Sequence, residues 1–120
     1  MKLLNQKLIT ALLFTVFSGQ AYANDCEVPA SPIIPDGNVA SLDELVSAQK
    51  AMKIYQTSLG GYRDCLKAVD EALDPEAEGS EEESKLILSE YNASVDSEEA
   101  VANEFNTAVK AFKTRQPASE

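Results

Sequence analysis

The sequence predicts an all-α fold, a long antiparallel two-helix hairpin with a proline-containing N-terminal arm tethered by a disulfide. Apolar and tyrosine residues repeat every seven positions through two long segments, which is typical of helices that pack as coiled coils. A helix-start sequence precedes each segment. Only a short connection separates the two segments, so we expect them to be antiparallel neighbours.

Residues 1–23 are expected to be a secretory signal peptide. Lys2 and Lys7 provide a positively charged start, residues 8–17 are apolar, and an A-x-A sequence provides the cleavage site. The apolar stretch is too short to span a bilayer, which takes about 20 residues. We therefore expect a periplasmic or secreted protein without a membrane anchor after cleavage. An uncleaved anchor is the alternative.

Residues 24–40 are expected to form an extended arm. Three prolines, Pro29, Pro32 and Pro35, remove backbone donors and fix φ, which excludes a helix. The Asp36-Gly37-Asn38 sequence that follows is typical of a turn. After such a turn, the arm can run back along the first helix.

Cys26 in the arm and Cys65 in the first helix are the only two cysteines. In an oxidising compartment they favour one disulfide. An extended arm, at about 3.1 Å per residue, reaches Cys65 when it folds back along the helix. An intermolecular bridge is the alternative. The closed loop is expected to stabilise the fold by about 4 kcal/mol on the chain-entropy estimate.

The first helix is predicted over residues 41–74. Ser41 and Glu44 form a capping box at its start, and Pro75 ends it because the residue before a proline avoids the helical region. Each glycine of the Gly60-Gly61 pair lowers helix stability by about 1 kcal/mol relative to Ala. We therefore expect a structural reason for the pair, either a bend of the helix or a close neighbour. The two ladders of this helix are Leu45, Met52, Leu59, Leu66 and Leu73, and Ala48, Tyr55, Tyr62 and Val69.

The second helix is predicted over residues 81–115, after a capping box of Ser80 and Glu83. Glu98 is the single charged residue in its ladders and is expected near residues 53–58. It either determines partner or register or, more simply, is an edge residue that pairs with a lysine there. The predicted ladders are Leu88, Val95, Ala102 and Val109, and Tyr91, Glu98, Phe105 and Phe112.

Composition excludes several functions. The 120 residues include 20 acidic and 10 basic side chains, a formal charge of −10, and no histidine. Histidine catalysis and histidine metal ligands are therefore impossible, and the negative charge disfavours nucleic acids and anionic membranes. A thin hairpin has little room for a ligand pocket, so we expect no enzyme and no cofactor.

Residues 70–83 hold eight acidic residues and no basic one. The segment begins like an EF-hand calcium loop, but Lys85 stands where the final bidentate Glu is required. A specific metal site is therefore not expected. Weak binding of divalent cations or cationic ligands is the functional interpretation, and a solvated acidic turn is the simpler one. The residues assigned to weak binding are Asp74, Glu76, Glu78 and Glu82.

Several short motifs resemble a group of small secreted bacterial proteins of uncharacterised function. The motifs are Asp25-Cys26-x-x-Pro29-x-x-Pro32, Pro35-Asp36-Gly37, Tyr62-Arg63-Asp64-Cys65-Leu66 and Tyr91-Asn92-Ala93. The resemblance covers most of the chain after the signal peptide. It supports a secreted helical protein with a Cys26–Cys65 pair, and it implies no activity.

The functional expectation is a non-enzymatic interaction or structural protein with an unknown protein partner, or one that forms a homodimer. A two-helix hairpin leaves apolar residues beside its seam, and these would face the partner. The interface residues expected on the second helix are Ile87 and Val101. Ile54 of the first helix and Ala108 of the second are further candidates. The alternative function is a small acidic protein that binds cations or cationic ligands through residues 70–83.

Overall fold

A computed structural model describes residues 25–115 of the chain. Within this range the protein has two helices and no strand: α1, Leu42–Ala72, and α2, Ser80–Arg115. The two helices pack against each other, which confirms the predicted all-α hairpin. The predicted signal peptide, residues 1–23, lies outside the described residues.

The start of α1 has the predicted capping box. The Glu44 N–H donates to Ser41 Oγ, and the Ser41 N–H donates to the Glu44 carboxylate, each at 3.1 Å. The helix continues without interruption through Gly60-Gly61 to Ala72. No neighbour in the described part of the chain lies within 4 Å of where a Cβ atom of either glycine would be, so close packing does not explain this pair.

The start of α2 differs from the prediction. Gly79 has a φ of 84°, a conformation that glycine adopts without strain, and Ser80 is already the first helical residue. The Glu83 N–H donates to the carbonyl of Gly79 at 3.0 Å, while the Ser80 hydroxyl donates to the carbonyl of Asp74. Because its N–H already has this partner, Glu83 does not form the expected capping box with Ser80.

The arm folds back along the helices and is tied down at both of its ends. A disulfide joins Cys26 to Cys65, as predicted, with the two Cα atoms 5.7 Å apart. At the other end, the N–H groups of Val39 and Ala40 donate to the carbonyl of Asp36 and close the turn. The guanidinium of Arg115, at the end of α2, donates to the carbonyl of Ala40. The arm thus contacts both helices.

Gly37 makes the closest approach between the arm and α2. A Cβ atom at this position would lie 2.6 Å from the carbonyl carbon of Ala108 and 2.8 Å from its Cα. No side chain fits at such distances, so the arm can lie this close to the helix backbone only with glycine here.

The arm covers less apolar surface than its composition suggests. The arm has three large aliphatic residues before its turn, Val28, Ile33 and Ile34, but Val28 is 65% and Ile33 is 93% exposed. Of these three, only Ile34 packs against buried residues. It contacts both the buried cluster around Leu59 and the buried cluster around Leu45. Neighbouring side chains of an extended segment point in opposite directions, so only one of the two isoleucines can face inward.

The core lies along the seam between the helices. Every position of the first predicted pair of ladders is buried or half-buried, so the seven-residue pattern of α1 is confirmed. The larger core cluster consists of Tyr55, Leu59, Tyr62, Leu66, Ile87 and Val101. A smaller one at the other end of the hairpin consists of Ala40, Leu45 and Ala108.

One of the two ladders predicted for α2 is wrong by a single residue. Leu88, its first member, is 59% exposed, and its other members are only half-buried. The buried positions each precede a predicted one: Ile87, Ser94, Val101 and Ala108. The ladder that begins at Tyr91 is half-buried throughout, as expected for residues at the seam. The sequence pattern missed the buried row because one of its four positions is the polar residue Ser94.

Candidate interaction surface

Three polar residues meet in the middle of the seam. Arg63 Nε donates to Ser94 Oγ at 2.8 Å, and Arg63 Nη2 donates to the Ser94 carbonyl at 3.2 Å. The same Nη2 lies 3.5 Å from Glu98 Oε2, and Ser94 Oγ in turn donates to the carbonyl of Tyr91 at 2.6 Å. The buried serine is tolerated because its polar groups are hydrogen-bonded.

This polar centre replaces the contact that the sequence suggested for Glu98. The carboxylate pairs with Arg63 rather than with a lysine at residues 53–58. Because Arg63 lies opposite Ser94 and Asp70 lies opposite Ser84, Glu98 lies close to the expected part of α1, and the long arginine side chain reaches it from about one turn further along. The side chains of Arg63 and Glu98 are 16% and 30% exposed. Sequence reasoning missed Arg63 and Ser94; the available signal was the seven-residue spacing that Ser94 shares with three apolar residues.

Ile87 and Val101, the predicted interface residues, are buried in the core of the hairpin. They are only 4% and 5% exposed and belong to the core cluster of the hairpin itself. The shift of the buried ladder by one residue brings them inward. Ala108 is also buried, whereas Ile54 is 68% exposed. Of the apolar residues expected to be available to a partner, only Ile54 is available.

Large apolar side chains nevertheless remain on the surface. Within residues 25–115, eight of them are exposed, more than the large aliphatic residues that the core buries. They occur on the arm and on both helices. The exposed set is Val28, Ile33, Val39, Leu42, Val46, Ile54, Leu86 and Leu88.

The connection between the helices is held by local hydrogen bonds. Asp74 organises it: its carboxylate accepts from the N–H of Glu76 at 2.9 Å, and its carbonyl accepts from the N–H of Ala77 at 3.0 Å. The acidic residues assigned to cation binding are not gathered around a common centre. Throughout the described range, no three carboxylate or thiol side chains are grouped so that they could hold a metal ion.

An open groove lies between the helices next to this connection. We call it the tip groove; it has a volume of about 460 Å³. Its apolar lining comes from α2, and its polar lining includes Ser84, whose hydroxyl donates to the Asp70 carboxylate at 2.6 Å. Lys85 in its wall pairs with Glu81 at 3.0 Å. The lining residues are Lys67, Asp70, Glu81, Ser84, Lys85, Ile87, Leu88 and Tyr91.

A second concavity, of about 620 Å³, adjoins the tip groove. We call it the acidic depression, because three carboxylates line it and no basic residue does. It shares Asp70, Glu81 and Ser84 with the tip groove, so the two form one continuous surface. The residues that line the acidic depression are Asp70, Glu71, Leu73, Pro75, Ser80, Glu81 and Ser84.

No protein-family model, no curated protein and no solved structure matches this chain. Among residues 25–115, neither helix has the length and apolar character needed to cross a membrane.

Proposed function

We propose that this protein is a non-enzymatic interaction protein of the periplasm or the extracellular space, with the helical hairpin as a stiff scaffold. The observation that carries the proposal is the set of eight large apolar side chains left exposed on the described part of the chain. A contiguous exposed apolar patch is typical of sites that bind another macromolecule, and one member of the set, Leu88, lies in such a patch, the lining of the tip groove.

The proposed location is supported by the disulfide. Disulfides persist in oxidising compartments and are rare in reducing ones, and the Cys26–Cys65 bond connects two otherwise separate segments. The expected signal peptide and the resemblance to small secreted bacterial proteins favour the same location.

A hetero-partner fits this surface better than a second copy does. The homodimer expected from the sequence would use Ile87 and Val101, but these residues are buried in the core of the hairpin. A formal charge of −10 also opposes association of two identical chains. Self-association remains a measurable alternative, and sedimentation of the pure protein tests it.

The second functional candidate, binding through the acidic segment 70–83, is favoured by the acidic depression and not by any metal cluster. The depression offers carboxylates beside apolar side chains, a chemistry suited to a cationic organic group more than to a bare ion. Divalent cation binding by Asp74, Glu76, Glu78 and Glu82 has no geometric support, because these residues are not grouped as ligands.

Capture from an extract of the native host tests the interaction function. We expect the immobilised protein to retain a host protein, and we expect a variant with Ile54, Leu86 and Leu88 all changed to Ser to lose it. The matched control changes three exposed polar residues of the same two helices, Lys53→Gln, Ser89→Ala and Asn92→Ser. Circular dichroism verifies that both variants stay helical.

Two results would contradict the proposal. One is that nothing is retained above the level of a column without protein. The other is that the apolar variant and the polar control retain the same material in the same amounts, because capture would then not depend on the exposed apolar side chains.

A further inference from the structure

We propose that the end of the hairpin at the interhelical connection binds a cationic amphipathic polypeptide segment, with its apolar side in the tip groove and its basic side over the acidic depression. This inference rests on the proposed interaction function and specifies the chemistry of the partner. Three features support it: an uncovered apolar lining, the sign of the charge around it, and the continuity of the two concavities.

The apolar part of the site is formed by α2. Ile87 is a buried part of its floor, Tyr91 is half-buried, and Leu88 is 59% exposed at its rim. The arm contacts the hairpin at Cys65, through the disulfide, and at Ala108, beside Gly37, and it contributes no residue to the tip groove. Burying the side chain of Leu88 under a partner would therefore contribute binding free energy that the fold itself does not use.

Charge determines which partner fits. Residues 70–83 carry eight acidic side chains and no basic one. Lys85 in the groove wall is paired with Glu81, which leaves Lys67 as the remaining basic residue of the lining. The local field is thus negative, and it attracts cations and repels acidic partners. A second copy of this chain would bring an equally acidic segment, so it is not the occupant.

Because the two concavities are continuous, a ligand that fills both must be amphipathic. They share Asp70, Glu81 and Ser84, so one bound segment contacts Leu88 on one side and Glu71 on the other. A helix or extended segment with separate apolar and basic faces satisfies both at once. A purely basic segment would leave the tip groove empty, and a purely apolar one would leave the carboxylates unpaired.

Titration calorimetry with synthetic peptides tests this inference on the full protein after signal cleavage. The probe is a peptide of about 14 residues, roughly 21 Å as a helix, whose Leu and Lys residues form opposite faces. One control peptide has Glu in place of Lys, and the other has Ser in place of Leu. We expect only the Leu/Lys peptide to bind, with a dissociation constant that rises several-fold when the screening length falls from about 8 Å to about 3 Å in high salt.

Matched variants locate the binding. Leu88→Ser is expected to weaken binding by about tenfold, which corresponds to about 1.4 kcal/mol. Leu86→Ser removes a leucine that is 48% exposed on the same helix but lines neither concavity, and it is expected to change binding by less than about twofold. Glu71→Gln is expected to weaken binding by about threefold, whereas Glu99→Gln, at an exposed position elsewhere on α2, leaves it unchanged.

Several outcomes would overturn the inference. They are binding of the Glu-containing peptide as tight as that of the Leu/Lys peptide, equal losses in Leu88→Ser and Leu86→Ser, and no saturable binding of the Leu/Lys peptide up to about 1 mM. If host capture depends on the exposed apolar residues while the Leu/Lys peptide does not bind, the interaction function stands and the assignment of a cationic partner fails. If host capture also fails, both proposals are rejected.

Discussion

The two segments outside the helices, the arm at residues 25–41 and the connection at residues 73–79, are held in place by different means. The arm is fixed by long-range contacts: a disulfide to α1, the approach of Gly37 to Ala108, and the bond from Arg115 to Ala40. The connection is fixed by hydrogen bonds between residues at most six positions apart. The arm therefore runs along the hairpin from Cys65, near the connection, back to the start of α1, whereas the end at the connection is left open because no arm residue lines its two concavities.

This difference separates stability from binding. At the end where α1 begins, the arm packs against the helices: Ala40 is buried with Leu45 and Ala108, so changes there are expected to affect folding. The open end keeps its tip groove and its acidic depression accessible, so changes there are expected to affect partners more than folding.

The largest expected effect is at Gly37. Gly37→Ala places a methyl group against the backbone of Ala108, and a helix backbone cannot move aside as a flexible side chain can. We expect the free energy of unfolding to fall by about 3 kcal/mol or more. Urea unfolding followed by circular dichroism measures this loss.

Gly61→Ala is the matched control for that substitution, because a Cβ there meets no neighbour within 4 Å. In a helix interior, alanine is better than glycine by about 1 kcal/mol, so the control should be stabilised. If both variants lost similar stability, the close approach of the arm to α2 would be wrong.

The disulfide is expected to have the next largest effect. Cys65→Ser should lower the free energy of unfolding by about 2–4 kcal/mol and expose the arm to proteases, while most helix content remains. The helices keep their own seam and cap, which do not involve the cysteines. Cys26→Ser should lower stability by the same amount, and the double variant by no more than either one; wholesale loss of helix at low temperature would show that the arm is required for the hairpin.

A smaller effect is expected at the connection. Gly79 has a positive φ, which costs an alanine about 1 kcal/mol, and no neighbour lies within 4 Å of its missing Cβ. Gly79→Ala should therefore cost about one third as much as Gly37→Ala. A thermal melt compares them directly; equal losses would mean that the connection is as tightly constrained as the arm.

The smallest effect is expected in the dependence of the free energy of unfolding on pH. Hydrogen bonds from the N–H and side-chain amide of Asn38 lower the pKa of Asp36 below its ordinary value of 3.8. The stability that this carboxylate contributes is thus fully present above pH 3.8 and is lost as the pH falls through the lower, folded-state pKa. Unfolding of wild type and Asp36→Asn, compared at about pH 5 and about pH 2, should differ more at the higher pH. A constant difference would contradict this assignment.

Much of the fold followed from simple patterns in the sequence. The seven-residue repeat located α1 and its buried face, and a count of two cysteines led to the disulfide. The α2 face was harder, because a rule that counts apolar residues prefers Leu88 to a ladder interrupted by Ser94. The hydroxyl of that serine donates to the Tyr91 carbonyl on its own helix and accepts from Arg63 on the other, and no local pattern contains the second contact.

The candidate site was only partly predictable. The acidic character of residues 70–83 was evident from the sequence. That these residues lie beside an apolar groove depends on the register between the two helices, which the sequence pattern does not contain. The register places Asp70 beside Ser84 and Arg63 beside Glu98, and a shift of one turn would have changed both contacts. Exposure in the arm likewise depends on which of two adjacent isoleucines faces inward.

The position of the disulfide also bears on the order in which the protein folds. Both cysteines precede α2 in the chain and are separated by 39 residues, whereas the bond from Arg115 to Ala40 spans 75. Because chains are synthesised from the N-terminus, oxidation can tether the arm to α1 before α2 has emerged. Because contacts between distant residues form slowly, we expect α2 to pack last, with the backbone at Ala108 docking against an arm that the disulfide already holds in place.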